Sequence, residues 1–156
     1  AIGHGPDLPF THYALAQVYL QNGHTDAALP HLAQAADLSP DVSEYVLSLA
    51  RTAMEAGDQA TALSGYRRVV ETQPIEGQAW KEAGLCALAA GDAPTACEWF
   101  SRARTLLPGD IDCLVNSARA SLSAGDAREA HEHIQAAYHL APESAEVLLV
   151  MGEVFA

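Results

Sequence analysis

Seven histidines and three cysteines are the residues of this 156-residue chain whose types could do metal or nucleophilic chemistry. The densest group is His131, His133 and His139, in AHEHIQAAYH. On a helix, side chains at i and i+2 stand about 200° apart, so His131 and His133 cannot close on one ion as an i, i+4 pair can. They read as exposed or half-packed, and His4, in an irregular lead-in, has no structured partner. Cys86, Cys97 and Cys113 are odd in number and lack a CxxC spacing, which fits neither a disulfide framework nor a zinc site. They read as free, buried thiols of a reducing compartment. Nucleophilic catalysis needs a Cys or Ser beside a base in a pocket, and phosphate binding needs a glycine-rich loop between strand and helix. Neither context occurs, so no catalytic, metal-binding or cofactor-binding residue is assigned, and the segment reads as non-enzymatic.

The aspartates have a different task. Asp58, Asp92, Asp110 and Asp126 each precede an apolar-periodic run, where a carboxylate accepts from the open amides of a helix start. Asp41 and Ser43 are given the same role for the run that follows Pro40. Caps imply helices, and the helices recur. The stretch Trp80 to Pro108 holds two runs, Trp80 to Ala90 and Ala93 to Leu106, joined by Gly91-Asp92, which is a helical hairpin. A shift of 34 residues reproduces its marks: Gly23, Gly57, Gly91 and Gly125; Ala28, Ala62, Ala96 and Ala130; Pro40, Pro74, Pro108 and Pro142. In the first copy the helices are predicted near Phe10 to Asn22 and Asp26 to Asp37. Pro30 lies one turn into the second of these and bends it without breaking it, and Pro94 sits in a first turn where a missing N–H is harmless.

The 34-residue copy carried by Trp80, Gly84, Ala96, Phe100 and Pro108 resembles a tetratricopeptide repeat. Ala83 and Ala87 depart from that pattern, and the first copy, with His12, Leu15, Ala16 and Tyr19, lacks its Trp and Gly. The resemblance implies an all-α solenoid of about four and a half helical hairpins, nine helices in antiparallel pairs wound as a right-handed superhelix. The expected divisions are an irregular lead-in over 1–8 and repeats over 9–42, 43–76, 77–110 and 111–144. Residues 145–156 would be the first helix of a truncated fifth. Val147 to Met151, Val154 and Phe155 give that last helix an apolar face where an array usually turns polar, which suggests a fragment of a longer protein, and the Ala-rich repeats suggest a bacterial one.

Twenty acidic residues against eight basic ones give a formal net charge of −12, which opposes nucleic acid phosphate and anionic lipid alike. Apolar residues make up 49% of the chain, enough for an ordered helical protein. No apolar run reaches the roughly 18 to 20 residues that span a bilayer, and the segment does not open on the basic start and apolar core of a signal peptide. A cytoplasmic location is expected, with the periplasm as the alternative.

In the family that the chain resembles, the first helix of each hairpin lines a concave binding face. That implies a peptide-binding groove of Tyr13, Gln17, Leu47, Arg51, Lys81, Leu85, Val115, Asn116 and Arg119, with Leu20, Met54, Leu88 and Leu122 assigned to the core. The carboxylate clamp of some members is missing, since Tyr13 and Gln17 stand where it would show Lys and Asn. Lys81, Asn116 and Arg119 could form another anion site. Arg51 has Glu55 at i+4, whereas Lys81 and Arg119 find no acid at i±3 or i±4 and read as unpaired cations. The implied partner is a protein or peptide of acidic and apolar character, with self-association through the open last helix as a further outcome. Two other roles stay open: the docking domain of a larger enzyme such as a methyltransferase or glycosyltransferase, and a type III secretion chaperone.

Overall fold

The computed structural model describes residues 8–156; the predicted lead-in, apart from Leu8, and His4 with it, lie outside the described residues. Among the described residues there are nine α-helices and no strand. The chain divides into two compact units, Ala1–Gln73 and Pro74–Ala156. The first contains α1 (Pro9–Gln21), α2 (Thr25–Leu38), α3 (Ser43–Ala56) and α4 (Gln59–Thr72). The second contains α5 (Gly77–Ala89), α6 (Ala93–Leu106), α7 (Ile111–Ser123), α8 (Ala127–Leu140) and α9 (Ala145–Phe155). Consecutive helices pair as hairpins, α1 with α2, α3 with α4, α5 with α6 and α7 with α8. Inside each unit the next first helix packs on the hairpin before it.

The turn inside each hairpin is built the same way. Gly57 takes a left-handed φ of 81°, where a side chain would be strained, and the following Asp58 N–H donates back to Ala53 O at 2.8 Å. Gly23, Gly91 and Gly125 repeat that conformation. Asp58, Asp92 and Asp126 then cap the second helix, accepting from the amides of Thr61, Thr95 and Glu129. Asp110 caps α7 through Cys113 N at 2.8 Å. The caps expected at Asp41 and Ser43 are absent: the N-cap of α3 is Val42, without a side-chain bond. Asp41 stands one residue too early and Ser43 is already the first residue of the helix. Pro30 lies inside an unbroken α2, and Pro94 sits in the first turn of α6.

Small residues set the closeness of the helices. Ala28, Ala62, Ala96 and Ala130 are fully buried. A Cβ built on Gly65 would stand 2.8 Å from Ala50 Cβ, and one on Gly84 would stand 2.7 to 2.9 Å from the Phe100 ring. Aromatic and aliphatic groups fill what remains: Leu32, Val46, Tyr66 and Val69 in the first unit, Trp99, Phe100, Ile134 and Val150 in the second. Leu20, Met54, Leu88 and Leu122 do not belong to this core. Met54 is exposed and the other three, each in the last turn of a first helix, are only half-buried.

Candidate functional site

The first helices carry the candidate residues. In the first unit α1 and α3 lie side by side. Tyr13 reaches from α1 to α3, donating its hydroxyl to Glu44 Oε1 at 2.8 Å, with Ser48 Oγ 3.5 Å away and the Tyr45 ring at 4.8 Å. Burial, with the Glu44 charge adding to it, raises the Tyr13 hydroxyl above its ordinary value despite the Ser48 bond, so the proton stays where Glu44 needs it. Beside this contact an open cleft of about 310 Å³ is lined by Gln17, Leu20, Thr25, Ser48, Arg51, Thr52 and Glu55. The cleft brings together Gln17 and Arg51, and Leu20 supplies an apolar wall. Leu47 is half-buried and does not line it.

In the second unit the cations expected to be unpaired are paired. Lys81 Nζ lies 3.0 Å from Asp110 Oδ2 and 3.7 Å from Asp112 Oδ2. Arg119 Nη1 lies 3.0 Å from Glu146 Oε1 and donates to Asn116 Oδ1 at 3.4 Å. A search at i±3 and i±4 looks only along one helix, whereas these acids come from the start of the next first helix. Burial disfavours the Lys81 charge, but its bond to Asp110 and the charges of Asp110 and Asp112 together outweigh that and raise the ammonium above its ordinary value. Burial likewise works against the Asp110 carboxylate, and the Cys113 amide and Lys81 together bring it below its usual range. Asn116 is occupied too, donating to Asp112 O at 2.8 Å. Lys81, Asn116 and Arg119 therefore do not form a vacant anion site.

Val115 is a second correction. It is completely buried, packed with Ala118, Ile134, Ala137, Val147 and Val150, because α9 covers the face that a lone α7 would show. Leu85 remains half-buried on α5. What the sequence reading missed is a recurring tie: a side chain of one first helix holds an acid at the start of the next. Its signal was present, since Glu44, Asp112 and Glu146 share one register of the 34-residue period.

The residues with chemical potential are spread out. His131 meets the edge of Phe155 at 4.8 Å, His133 is buried against Arg104, and His139 is exposed. Cys86 and Cys113 are buried free thiols, and Cys97 is half-buried. Burial, followed by the Asp110 charge, pushes the Cys113 thiol up to about 12, so it stays protonated and poorly nucleophilic. Among the described residues no three His, Cys, Asp or Glu side chains gather as metal ligands, and no helix is long and apolar enough to cross a membrane.

No curated protein sequence matches the chain. Among solved structures, MamA 41-end from Desulfovibrio magneticus RS-1 superposes with a TM-score of 0.84 at 19% identity, covering 96% of this chain and 84% of that one. YrrB, described as a TPR protein with an unusual peptide-binding site, gives 0.85 at 18% identity over 94% of this chain and 75% of its own. MamA AMB-1 gives 0.78 at 23% identity, over 89% of this chain and 76% of its own. These likenesses establish the fold. The tetratricopeptide repeat model matches residues 13–74 and 47–111, more than half of the sequence, and the chain belongs to the tetratricopeptide repeat family.

Proposed function

We propose that the chain is a non-enzymatic protein-interaction scaffold that docks a segment of another protein on its first helices, one repeat per hairpin. The observation that carries this reading is the cleft between α1 and α3, in which Gln17 and Arg51 present polar groups beside Leu20. The peptide-binding site of YrrB, a protein of the same fold, supports it. The same docking role serves whether the segment acts alone or delivers a substrate to a catalytic domain. A partner carboxylate would have to displace Asp110 or Asp112 from Lys81, or Glu146 from Arg119. Apolar anchors therefore carry the affinity, and acidic groups on the partner add little. The test is capture of the partner on the intact chain, its identification, and calorimetric titration of its binding segment. Gln17→Ala with Arg51→Ala should weaken binding several-fold and leave the melting temperature nearly unchanged. Unaltered binding in that double variant would remove the α1–α3 cleft from the site.

A second reading, self-association, is favoured by α9. Val147 and Val150 are buried, but Leu148, Leu149 and Phe155 are 48%, 61% and 56% exposed. Leu149 lies one repeat after Val115, which is wholly covered, so the exposed row occupies a position that elsewhere receives a helix. Sedimentation of the chain should show mass rising with concentration, and Leu149→Glu should abolish the rise. A monomer at every concentration would refute this reading.

A further inference from the structure

The second helices of unit 2 meet around a titratable ring that peptide docking does not use. His133 on α8 is 9% exposed. Nη1 of Arg104, on α6, lies 2.6 Å from its Nδ1 and 3.0 Å from its Nε2. The lone pairs of the two ring nitrogens diverge in the ring plane, so a guanidinium nitrogen this close to both lies over the ring face. A cation rests there against a neutral aromatic surface. Arg104 Nε is buried without a hydrogen-bond partner among the described residues, which leaves the guanidinium dependent on that contact.

The other groups around the ring offer little to compensate a second positive charge. On its own helix, Glu129 Oε1 stands 3.5 Å from Nε2, and the preceding residue, Glu132, lies in exposed surface and adds a weaker negative charge. From α7 comes the Ser121 hydroxyl, itself 3.3 Å from Glu129 Oε2, and from α6 the Cys97 thiol, close to Ser121 and Glu129. Asp126 is engaged as the cap of α8. From α9, Val147 and Val150 join the core beside α8 and Phe155 meets His131, while Glu146 pairs with Arg119 and Glu153 is exposed.

We propose that the Arg104–His133 contact is a pH-sensitive lock between the third and fourth hairpins. It is closed while the ring is neutral and opens when the ring takes a proton, because an imidazolium would then press against a guanidinium in a site with one long carboxylate contact to offset it. Burial first, and the Arg104 charge second, hold His133 below its ordinary 6.5 against the pull of Glu129. The folded value is thus the depressed one. The lock's contribution is complete above 6.5, falls as the unfolded chain takes the proton first, and is gone once pH drops through the folded value.

The unaltered chain provides the first measurement, an NMR titration of the His133 ring, which should have its midpoint below 6.5. Hydrogen-exchange protection of α8, referred to α3 in the first unit, should fall on moving from neutral to mildly acid pH. The fall should be about tenfold for each unit by which His133 titrates low. His133→Gln should flatten that fall, and Glu129→Gln, which removes the larger of the two opposing charges, should steepen it. A His133 midpoint at or above 6.5 would overturn the proposal, as would a His133→Gln chain that keeps the full acid loss. If His133→Gln does not fold, the titration of the unaltered chain decides alone.

Discussion

Ala16, Ala50, Gly84, Ala118 and Gly152 occupy one register of the repeat, and the two glycines in that set are there for different reasons. A Cβ on Gly84 would meet the Phe100 ring at 2.7 to 2.9 Å, and that ring is completely buried and has nowhere to go. On Gly152 the same atom would meet nothing within 4 Å. Helix propensity favours alanine over glycine by roughly 0.5 to 1 kcal/mol, while forcing a methyl group into a filled core costs about 1 to 3 kcal/mol. The two substitutions should therefore have opposite signs. Gly84→Ala is expected to lower stability by about 1 to 2 kcal/mol in denaturant melts, and Gly152→Ala to raise it by about 0.5 kcal/mol. A stabilised Gly84→Ala would mean that Phe100 does not hold its place against α5.

At the scale of the element, most of the fold was legible because its determinants are local. Gly91 ends a helix and Asp92 starts the next within two residues, and copies of that pair every 34 residues reveal the hairpins without any knowledge of packing. Asp41 and Ser43 misled for the same reason: a cap is decided by one residue of register, and composition near a helix start does not fix it. The candidate site was less legible. A helical wheel shows that Val115 and Arg119 share a face, but whether α9 covers one and spares the other depends on how successive helices pack. Lys81 looked solitary along α5 because its acid lies 29 residues further on, and Arg119 looked solitary because Glu146 lies 27 residues on. Distances of about one period are invisible to a search within a helix. They become visible when the copies are aligned and the acids at 44, 112 and 146 fall in one column.

For the whole molecule the decisive quantity is the scarcity of positive charge. Eight basic residues face twenty acidic ones, and Lys81, Arg119 and Arg128 are among those held in ion pairs. Arg104 is committed to His133. The charge left over is negative and works against compaction, so the two pairs that join successive first helices, Lys81–Asp110 and Arg119–Glu146, help to hold the repeats together. Asp110 isolates one of them, since it both caps α7 and binds Lys81. Asparagine caps a helix as well as aspartate does, so Asp110→Asn keeps the first role and removes the charge from the second. The carboxylate lies below its ordinary 3.8 in the folded chain, so its contribution is present above that pH and is lost as pH falls through the folded value. Lys81 is raised above its ordinary 10.5, so its share is present below that pH and is lost as pH rises through the folded value. Melts of the two chains should therefore differ by roughly 0.5 to 1 kcal/mol across the neutral range, the magnitude of a partly exposed pair. The two curves should converge in acid, once pH has fallen through the folded value of Asp110, and again in strong alkali. Curves that stay parallel into acid would show that Asp110 acts through the cap alone, and that Lys81 is held by Asp112.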